Sequence, residues 1–554
     1  MSFSITLNSR QICDYELLVN GAFDPLTHFM TKDDYESCVE TMRLANNKLW
    51  SMPIVLHINE QQKKDCQNHN SITLKHPTGL TLATMDISNK EQSIFKPDFE
   101  KEYTNVYRTT DINHPYVSIL ENYRQDGFVY CIGGSLSNIS LPLHYDFTNL
   151  RLTPAQTKQY FKDNNWTKII GFQTRNPMHK SHYELTKYAQ RQAGPDSKLL
   201  IHPVVGVTQE CDINYHTRVK CYRALMNYYQ DAKLSLLPLS MRMAGPREAL
   251  WHAQIRKNYG CTHFVIGRDH AGPSFKDKNN NSFYGPYDAQ DLLYQYADEI
   301  GISLITSKLI VYATPKDKQT LKPLYSPIDE IDNELYDVNN ISGTQQRELL
   351  RSGKDIPEWF SFPEVINELR KDYLQKHKQG LCLYFVGLSG SGKTTIANFI
   401  INKLNELTNR KITYLDGDIV RTHISKGLGF SREDRSTNVR RIGYICSEVV
   451  KHQGIAIAAN IAPYELDRSF NRKQISYHGN YIEIFINTSL EVCENRDVKG
   501  LYKLARKGVI KQFTGISDPF EEPTKPDILI DGSDNLDKSV NKIICFLQEN
   551  SYLE

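Results

Sequence analysis

The chain alternates short apolar runs with amphipathic stretches from about residue 151 onward, a rhythm that predicts strands and helices in turn. The apolar runs interpreted as strands cover 167–173, 198–204, 233–238, 262–267 and 303–312. The amphipathic stretches interpreted as helices cover 177–193, 214–229, 245–258 and 287–300. Near-continuous apolar strands between helices are typical of a parallel sheet covered on both faces. We therefore predict an α/β core over 151–375, closed by a small helical tail.

A second alternation follows the polar linker 375–380 and predicts another α/β domain over 376–554. Its predicted strands cover 381–386, 411–416, 454–460, 481–487 and 526–531. Residues 1–150 instead form short β-like segments joined by turns, with no dominant helical period. We predict a β-rich N-terminal domain there, in which the polar piece 59–70 is a loop. The fold class is thus α/β with several domains.

Composition narrows the class of protein. A chain of 554 residues exceeds what one hydrophobic core organises, and its 40% hydrophobic and 23% charged residues are ordinary for a globular protein. A net charge of +2 argues against a general nucleic-acid binder. Eleven scattered cysteines without a CxxC pair favour a reducing compartment over disulfides or structural zinc. Without a signal peptide or an apolar run of roughly 20 residues, we expect a cytoplasmic protein that binds neither nucleic acid nor a membrane.

The stretch "FQTRNPMHKSH" (172–182) predicts an anion site where a strand becomes a helix. Asn176 is a good N-cap and Pro177 suits the first helical position, which places His179 and His182 on one helix face. Free N–H groups at a helix start attract anions, and Gln173 and Arg175 add side-chain donors. Such a histidine pair is also often a surface or core feature, or half of a metal site, although no third ligand with metal spacing is nearby.

A second polar cluster, "GRDHAG" (267–272), follows the predicted strand 262–267 at once. Its small residues allow close backbone approach, while Arg268 and His270 can meet phosphates. Ligands of open parallel sheets bind outside the carboxyl ends of the strands. Both clusters are predicted at such ends, so we expect them to form one site.

Several motifs together resemble ATP sulfurylase (sulfate adenylyltransferase) over roughly residues 15–370. They are "NGAFDPLTHFM", "RLTP", "QTRNPMHKSH", "MRMAGPREALWHA", "GRDHAGPS" and "ISGTQQRELLRSGKDIPEWFSFPEV". The resemblance implies a PUA-like N-terminal domain and a nucleotidyltransferase core. It implies that a sulfate oxygen attacks the α-phosphorus of ATP, giving adenylyl sulfate (APS) and pyrophosphate. Mild departures are the loop "GVTQECDI" (206–213) and Ser274 in place of the usual glycine.

The same resemblance implies the roles of individual residues. Sulfate contacts would be made by Gln173, Arg175 and Ala271. ATP contacts would be made by Gln173, Thr174, Arg175, Asn176, Gly267, Arg268, Asp269, His270 and Val311. Thr174, Arg175 and Asn176 would be catalytic. His179 and His182 resemble the HxGH-type pair of adenylyl-transferring enzymes and would stabilise the charged transition state.

The second α/β domain opens with a P-loop, "GLSGSGKT" (387–394), between a predicted strand and helix. Backbone N–H groups of such a loop wrap phosphates, Lys393 reaches the β- and γ-phosphates, and Thr394 can ligate Mg²⁺. The predicted ATP-binding residues are Gly387, Ser389, Gly390, Ser391, Gly392, Lys393, Thr394 and Thr395. Mg²⁺ bound with the nucleotide is the expected cofactor, and no prosthetic group is expected.

The segments that follow the P-loop resemble APS kinase, which phosphorylates APS at its 3′-hydroxyl to give PAPS. They are "YLDGDIVR" (414–421), "GLGFSREDRSTNVRRIGYICSEV" (427–449) and "RDVKGLYKLARKGVIKQFTGISDPFEEP" (496–523). The resemblance implies that Asp418 meets the hydroxyl as base or positioner. The implied APS-binding residues are Asp418, Arg421, Phe430, Arg435, Asn438, Lys499 and Phe513, with the two phenylalanines around the adenine. Lys499, Lys503 and Lys511 would form a basic lid, although a solvated charged helix fits the same residues.

One departure leaves the activity of this second domain open. Many APS kinases have Ser-Pro-Tyr-Arg where this chain has "APYE" (462–465), with Ala462 and Glu465. Related sulfurylases carry a kinase-like domain that only senses PAPS or APS. We favour a bifunctional, homo-oligomeric enzyme that activates sulfate to PAPS. The alternatives are a sulfurylase with a regulatory kinase-like domain and a nucleotide-sensing module without turnover.

Overall fold

The computed structural model of the protein describes residues 3–209, 212–306, 308–497 and 499–553. The chain divides into two compact units. Unit 1 comprises Met1–Gln345 and Ile356–Asp372, and unit 2 comprises Gln346–Asp355 and Tyr373–Glu554. The chain therefore passes from unit 1 into unit 2, returns to unit 1 for residues 356–372, and then completes unit 2.

The N-terminal part of unit 1 contains two small sheets and several helices. In chain order its elements are β1 Ser4–Thr6, α1 Ser9–Val19, α2 Lys32–Thr41, β2 Leu56–Ile58, α3 Glu60–Gln67, β3 Ser71–Lys75, β4 Thr81–Asp86, α4 Lys90–Ser93, β5 Ile94–Phe95, α5 Phe99–Val106, α6 Pro115–Gln125, β6 Tyr130–Ile132 and β7 Leu136–Ser137. One sheet has the order β1-β3-β4-β7 and the other has the order β2-β6-β5.

The predicted loop at 59–70 is wrong, because most of it forms α3. Asn59 caps this helix: its side chain accepts from the Gln62 N–H at 2.9 Å, while the Gln62 side chain accepts from the Asn59 N–H at 3.0 Å. Such a reciprocal capping box stabilises a helix start. Cys66 is its buried residue. A polar helix that buries so little apolar surface has almost no hydrophobic period to detect.

The central part of unit 1 is the predicted parallel α/β core. Its elements are α7 Pro154–Asp163, β8 Ile169–Phe172, α8 Lys180–Ala193, β9 Lys198–Ile201, α9 Tyr215–Leu225, β10 Ala232–Leu234, α10 Pro246–Asn258, β11 His263–Ile266, α11 Asp288–Ile300 and β12 Ser303–Thr306. The sheet order is β10-β9-β8-β11-β12, and every pairing is parallel. The strand order reverses between β8 and β11, which is where open parallel sheets bind ligands.

The predicted strand 303–312 is two strands in different sheets. β12 ends at Thr306, Ser307 lies outside the described residues, and β13 Ile310–Pro315 belongs to an antiparallel sheet with β14 Leu324–Pro327 and β15 Tyr336–Asn339. The apolar pattern continues through the junction, so hydrophobicity alone gives no sign of the change of sheet. The helices predicted for the tail are present as α12 Gly343–Ser352 and α13 Pro363–Asp372, but most of α12 belongs to unit 2 and α13 belongs to unit 1.

Unit 2 is a second parallel α/β sheet. Its elements are β16 Leu381–Val386, α14 Lys393–Leu407, β17 Ile412–Asp416, α15 Gly417–Thr422, α16 Arg432–Lys451, β18 Ile455–Ala459, α17 Glu465–Ser476, β19 Asn480–Asn487, α18 Leu490–Arg496, α19 Leu501–Arg506, β20 Ile528–Asp531 and α20 Leu536–Glu549. The sheet order is β17-β18-β16-β19-β20, so the strand before the P-loop lies in the middle. All five predicted strands are present.

A single hydrophobic core joins the N-terminal part of unit 1 to its parallel sheet. Three buried rings meet in it, with centroids 5.3 Å apart for Phe23 and Trp50, 5.1 Å for Phe23 and Trp251, and 6.4 Å for the two tryptophans. Beside them, Arg242 of the core is paired with Asp14 of α1 at 2.5 Å, and both side chains are almost fully buried. The two parts therefore share both apolar packing and a buried charge pair.

None of the helices in the described part of the chain combines the length and apolar character needed to cross a membrane. The ten cysteines within the described ranges are free thiols. Cys211 lies outside the described residues.

Removing one member of the buried pair should destabilise unit 1 strongly. We expect Asp14→Ala to lower its free energy of unfolding by about 3–5 kcal/mol, because the Arg242 charge is left buried without a partner. All four tryptophans lie at positions 50, 166, 251 and 359, within unit 1, so tryptophan fluorescence during urea unfolding reports this unit.

The matched control is Glu299→Ala, which removes the exposed ion pair between Arg43 and Glu299. It should change the free energy of unfolding by less than about 1 kcal/mol. An Asp14→Ala protein as stable as the Glu299→Ala protein would contradict the importance of the buried pair.

Candidate active sites

Two polar loops lie at the strand-order reversal of the unit 1 sheet. Residues 173–179 follow β8, and residues 267–274 follow β11. These strands are parallel neighbours, with His263 opposite Ile170 and Phe264 opposite Gly171. Both loops therefore leave the same edge of the sheet side by side, as expected from the sequence.

The first loop is longer than predicted, because α8 begins at Lys180 and not at Pro177. A helix starting at Pro177 would need the Asn176 carbonyl to accept from the Lys180 N–H. Instead that carbonyl accepts from the Tyr222 hydroxyl at 2.7 Å, and the Lys180 N–H donates to the Phe360 carbonyl at 3.1 Å. Tertiary contacts take both partners of that helical hydrogen bond, so Asn176 is not the N-cap.

The two histidines lie at the true helix start, with ring centroids 6.1 Å apart. His179 is the N-cap residue, and its backbone N–H donates to Nδ1 of His182 at 3.2 Å. A backbone N–H can only donate, so the proton of neutral His182 is on Nε2. Burial lowers the pKa of His182 to about 4, and the ring is neutral at physiological pH. His182 is thus a neutral Nε2–H donor.

Arg175 joins the neighbouring loops. Its Nη1 donates to both carboxylate oxygens of Asp212 at 3.0 Å, and its Nη2 donates to the Ser274 hydroxyl at 3.2 Å. Its backbone carbonyl accepts from Arg218 at 2.5 Å. The departure at Ser274 therefore supplies an extra acceptor for the predicted sulfate-binding arginine. Asp212 was missed by the sequence analysis, since a lone aspartate in a loop carries no motif.

Thr174 and Gln173 complete the first loop. The Thr174 hydroxyl donates to the Asn176 carbonyl at 3.0 Å and accepts from the Asn176 N–H at 3.1 Å, which closes a tight turn. The amide of Gln173 points its Nε2 at Met241 Sδ, 3.9 Å away, and its buried Oε1 has no hydrogen-bond partner among the described residues. A buried acceptor without a partner is available to a bound donor.

The second loop turns sharply, because Asp269 and Ala271 adopt left-handed backbone conformations with φ of 52° and 58°. Arg268 and Asp269 are exposed and paired at 3.1 Å. His270 contacts buried His252, with Nε2 of the former 3.1 Å from Nδ1 of the latter. Burial lowers the pKa of both rings well below the ordinary value, so they are neutral.

Two predicted residues of this site differ in their surroundings. Gly267 directly follows β11, at the sheet edge, as expected. Val311 instead lies in β13, in the separate antiparallel sheet, where its side chain is buried.

The P-loop of unit 2 is closed around its lysine. Lys393 is buried, and its Nζ donates to the carbonyls of Gly387 at 2.9 Å and Leu388 at 2.7 Å. Gly390 and Gly392 have φ of 74° and 106°, values that residues with a Cβ atom rarely adopt. Burial lowers the pKa of Lys393 to about 8, because it disfavours the charged ammonium.

The other P-loop residues form the turn and the helix start. The backbone carbonyls of Ser389 and Ser391 accept from Tyr502 at 2.8 Å and from Thr488 at 2.9 Å. Thr394 and Thr395 are exposed in the first turn of α14. The loop is therefore tied to α19 and to the end of β19.

The Asp416 carboxylate at the end of β17 accepts hydrogen bonds from several groups, one of them in the P-loop segment. The Thr394 hydroxyl donates to Asp416 at 3.1 Å, the Tyr414 hydroxyl donates to the same oxygen at 3.0 Å, and the Asp418 N–H donates to the other oxygen at 2.9 Å. The Asp418 side chain is exposed and paired with Lys499. Asp416 thus links the P-loop threonine to the predicted substrate-facing Asp418.

Two of the predicted APS-binding residues, Arg435 and Asn438, lie in α16, and Phe430 comes just before this helix. The guanidinium of Arg421 lies 4.5 Å from the centroid of the exposed Phe430 ring. Buried Arg435 donates to the Phe430 carbonyl at 2.9 Å and to Asp518 at 3.1 Å, and it also contacts Thr514. Asn438 is buried, and within the described ranges its Oδ1 has no hydrogen-bond partner.

Phe513 belongs to a small apolar cluster and packs edge-on against Tyr502, with centroids 4.9 Å apart. Of the basic residues expected in a lid, Lys503 is part of the short helix α19 and Lys511 is exposed in the following segment.

The departure at Glu465 is neutralised within unit 2. Its carboxylate pairs with Arg468 at 2.5 Å and accepts from the Ser469 hydroxyl at 2.9 Å. Arg468 is itself buried and also donates to the Ala462 carbonyl at 2.8 Å. The carboxylate charge is therefore balanced by a neighbour three residues away.

The described residues contain no group of three or more histidine, cysteine or acidic side chains placed to hold a metal ion. The hydroxyl of Thr394 and the carboxylate of Asp416 are hard oxygen donors, a type that suits Mg²⁺.

Comparisons with known proteins match every part of the chain. The family model of the PUA-like domain matches residues 2–141, that of ATP-sulfurylase matches 148–372, and that of adenylylsulphate kinase matches 379–531. Curated relatives called sulfate adenylyltransferase, from Mycosarcoma maydis and Chaetomium globosum, are 42% identical over 99% and 100% of this chain, each over 94% of its own length.

A solved structure, described as the hexameric APS kinase from Thiobacillus denitrificans, is similar with a TM-score of 0.78 and 29% identity. It covers 100% of this chain, and 94% of that chain is covered in turn. The resemblance inferred from the motifs is thereby confirmed. The chain belongs to the sulfate adenylyltransferase family, as an enzyme of sulfate activation that joins a PUA-like domain and an ATP-sulfurylase domain to an adenylylsulphate kinase domain.

Proposed function

We propose that the chain converts sulfate to PAPS in two steps, one in each unit. In unit 1 a sulfate oxygen attacks the α-phosphorus of ATP, the bond to the β-phosphate breaks, and pyrophosphate leaves. In unit 2 the 3′-hydroxyl of APS attacks the γ-phosphorus of a second ATP, loses its proton, and releases ADP. The regulatory alternative would stop after the first step.

The proposed sulfurylase site consists of the two loops at the strand-order reversal. Arg175, fixed by Asp212, would supply guanidinium N–H donors, and Oε1 of Gln173, which has no partner among the described residues, could accept a hydrogen bond from a ligand. His182 and His179 would donate to the transferring phosphoryl group. Both reactants are anions, so catalysis would come mainly from in-line positioning and charge stabilisation.

The proposed kinase activity is carried by one observation: the P-loop that holds Lys393 also places Thr394 against Asp416, which in turn accepts from the Asp418 N–H. Phosphoryl transfer needs little more than such positioning and charge. Asp418 would position or deprotonate the 3′-hydroxyl, and Lys499 would leave Asp418 for phosphate. The ion pair between Glu465 and Arg468 supports activity, since it removes the uncompensated carboxylate expected to repel an anionic substrate.

We propose Mg²⁺ as the cofactor of the kinase step. The Thr394 hydroxyl would bind it, and the carboxylate oxygens of Asp416 would lie nearby. When bound with ATP it would neutralise charge on the phosphates. The protein's own part would be to orient that complex against Lys393.

We also propose that the protein is a cytoplasmic homo-oligomer with three domains. The hexameric description of the solved relative supports a homo-oligomer. The free thiols of the described cysteines are in keeping with the cytoplasm. The proposed domain limits are 1–150, 151–375 and 376–554.

Arg175→Ala should abolish APS formation in a folded protein. We expect at least a 10²- to 10³-fold lower kcat, because one charge-stabilising contact at the reacting group is lost. Release of pyrophosphate from ATP in the presence of sulfate measures this step. The matched control is Arg151→Ala, since Arg151 forms a similar partly buried ion pair with Asp146 outside both loops. Normal turnover by a folded Arg175→Ala protein would contradict the catalytic role proposed for Arg175.

Lys393→Ala should stop the kinase step and spare the sulfurylase step, because the two sites lie on separate sheets. Given ATP and sulfate, the wild-type chain should form PAPS, whereas the variant should accumulate APS only. Chromatographic separation of APS from PAPS decides the matter. If the wild-type chain binds APS or PAPS tightly but never forms PAPS from supplied APS and Mg-ATP, the regulatory alternative is correct.

The kinase step should weaken in alkaline solution. Lys393 is charged below its pKa of about 8 and loses that charge as pH rises, whereas bound phosphates favour the charged form. We expect kcat/KM for ATP, with APS supplied, to fall by about tenfold per pH unit above that pKa.

The matched control is kcat/KM of the sulfurylase step over the same pH range, because His182 titrates far below it. A kinase profile that stays flat well above pH 8 would contradict the low pKa of Lys393.

A further inference from the structure

Ser361 lies against the predicted catalytic histidine although it is far away in sequence. Its hydroxyl is 2.8 Å from Nδ1 of His179, and the side chain is 2% exposed. It belongs to the segment 356–372, which returns to unit 1 after the excursion of the chain into unit 2. None of the roles assigned so far uses this residue.

The residues before Ser361 hold it firmly in place. Trp359 stacks on Tyr312 of the antiparallel sheet, with centroids 5.1 Å apart, and its carbonyl accepts from the Tyr325 hydroxyl. The Phe360 ring packs on the His179 ring at 4.6 Å, and its carbonyl accepts from the first N–H of α8. A serine fixed this way presents its hydroxyl with little rotational freedom.

The direction of the Ser361 hydrogen bond follows from the need to satisfy a buried hydroxyl. A buried O–H donor without an acceptor is costly, and among the described residues His179 is the partner that the structure gives it. If the hydroxyl donates, Nδ1 of His179 is the acceptor and the ring proton is on Nε2.

That arrangement matches His182, whose Nδ1 already accepts from the backbone. Both rings then have the same tautomer, with Nε2–H as the donor. Two neutral N–H donors at a helix start suit a phosphoryl group on which negative charge develops.

We propose that Ser361 is a positioning residue for adenylyl transfer, which fixes His179 in the tautomer and ring orientation that donate from Nε2. This rests on the proposed role of His179 in the sulfurylase step. Ser361 itself touches no reactant. A group that fixes a catalytic histidine through its other ring nitrogen typically changes activity and not the fold.

Ser361→Ala in the full chain tests the proposal. We expect kcat for APS formation to fall about 10- to 100-fold, while KM for ATP stays within about twofold, because ground-state contacts are untouched. Ser361→Thr keeps the hydroxyl and should recover most of the rate. On a His179→Ala background, Ser361→Ala should cause no further loss, since both variants remove the same donor.

The control for a purely structural effect is Ser51→Ala, which removes another fully buried serine hydroxyl of unit 1, bonded to the Arg247 carbonyl at 2.7 Å. It should leave kcat unchanged, with unfolding followed by tryptophan fluorescence in both variants. An unchanged rate in Ser361→Ala, a loss that adds to that of His179→Ala, or an equal loss in Ser51→Ala would overturn the proposal. Normal turnover by His179→Ala would overturn the proposed role of His179 itself.

Discussion

The proposed sulfurylase site is shaped by hydrogen bonds that reach the backbone of residues 173–180 from other elements. Tyr222 donates to the Asn176 carbonyl, Arg218 donates to the Arg175 carbonyl, and the Phe360 carbonyl accepts from Lys180. The first and the last of these bonds take the carbonyl and the N–H that a helix starting at Pro177 would pair with each other. The loop consequently extends to His179, and the two histidines meet at the helix N-terminus, where backbone and side-chain donors converge on one place.

The parallel sheets were predictable because their strands are continuously apolar, and the P-loop was predictable because all its determinants are consecutive in sequence. Residues 59–70 were assigned to a loop because a capped polar helix lacks an apolar period. Asp212 lies 37 residues from Arg175 in the chain, and Ser361 lies 182 residues from His179. The start of α8 likewise depends on distant residues, Tyr222 and Phe360. Local propensity carries no information about such contacts. The length of the loop before α8 and the roles of Asp212 and Ser361 therefore could not be predicted from the sequence.

The two proposed sites would hold phosphates by different means. In unit 2 the glycine-rich turn, Lys393 and Thr394 come from one short segment, and the end of β17 and the start of α15 add Asp416 and Asp418. Even the unusual Glu465 is balanced locally, by Arg468. In unit 1 the site is assembled from β8, β11, the loop with Asp212 and the segment with Ser361. A site assembled from distant segments depends on the tertiary fold as a whole. It is therefore lost when that fold is lost.

The return of residues 356–372 to unit 1 has a consequence for dissecting the protein. A chain ended at Gln345 would contain every strand of the parallel sheet and both polar loops, and so would look like a complete module. It would nevertheless lack the carbonyl that receives the first N–H of α8 and the hydroxyl beside His179. Residues 346–355, directly before this segment, belong to unit 2. The boundary suggested by the sheet therefore differs from the boundary of the proposed site. A truncation after Gln345 would keep the sheet and remove residues that support the site.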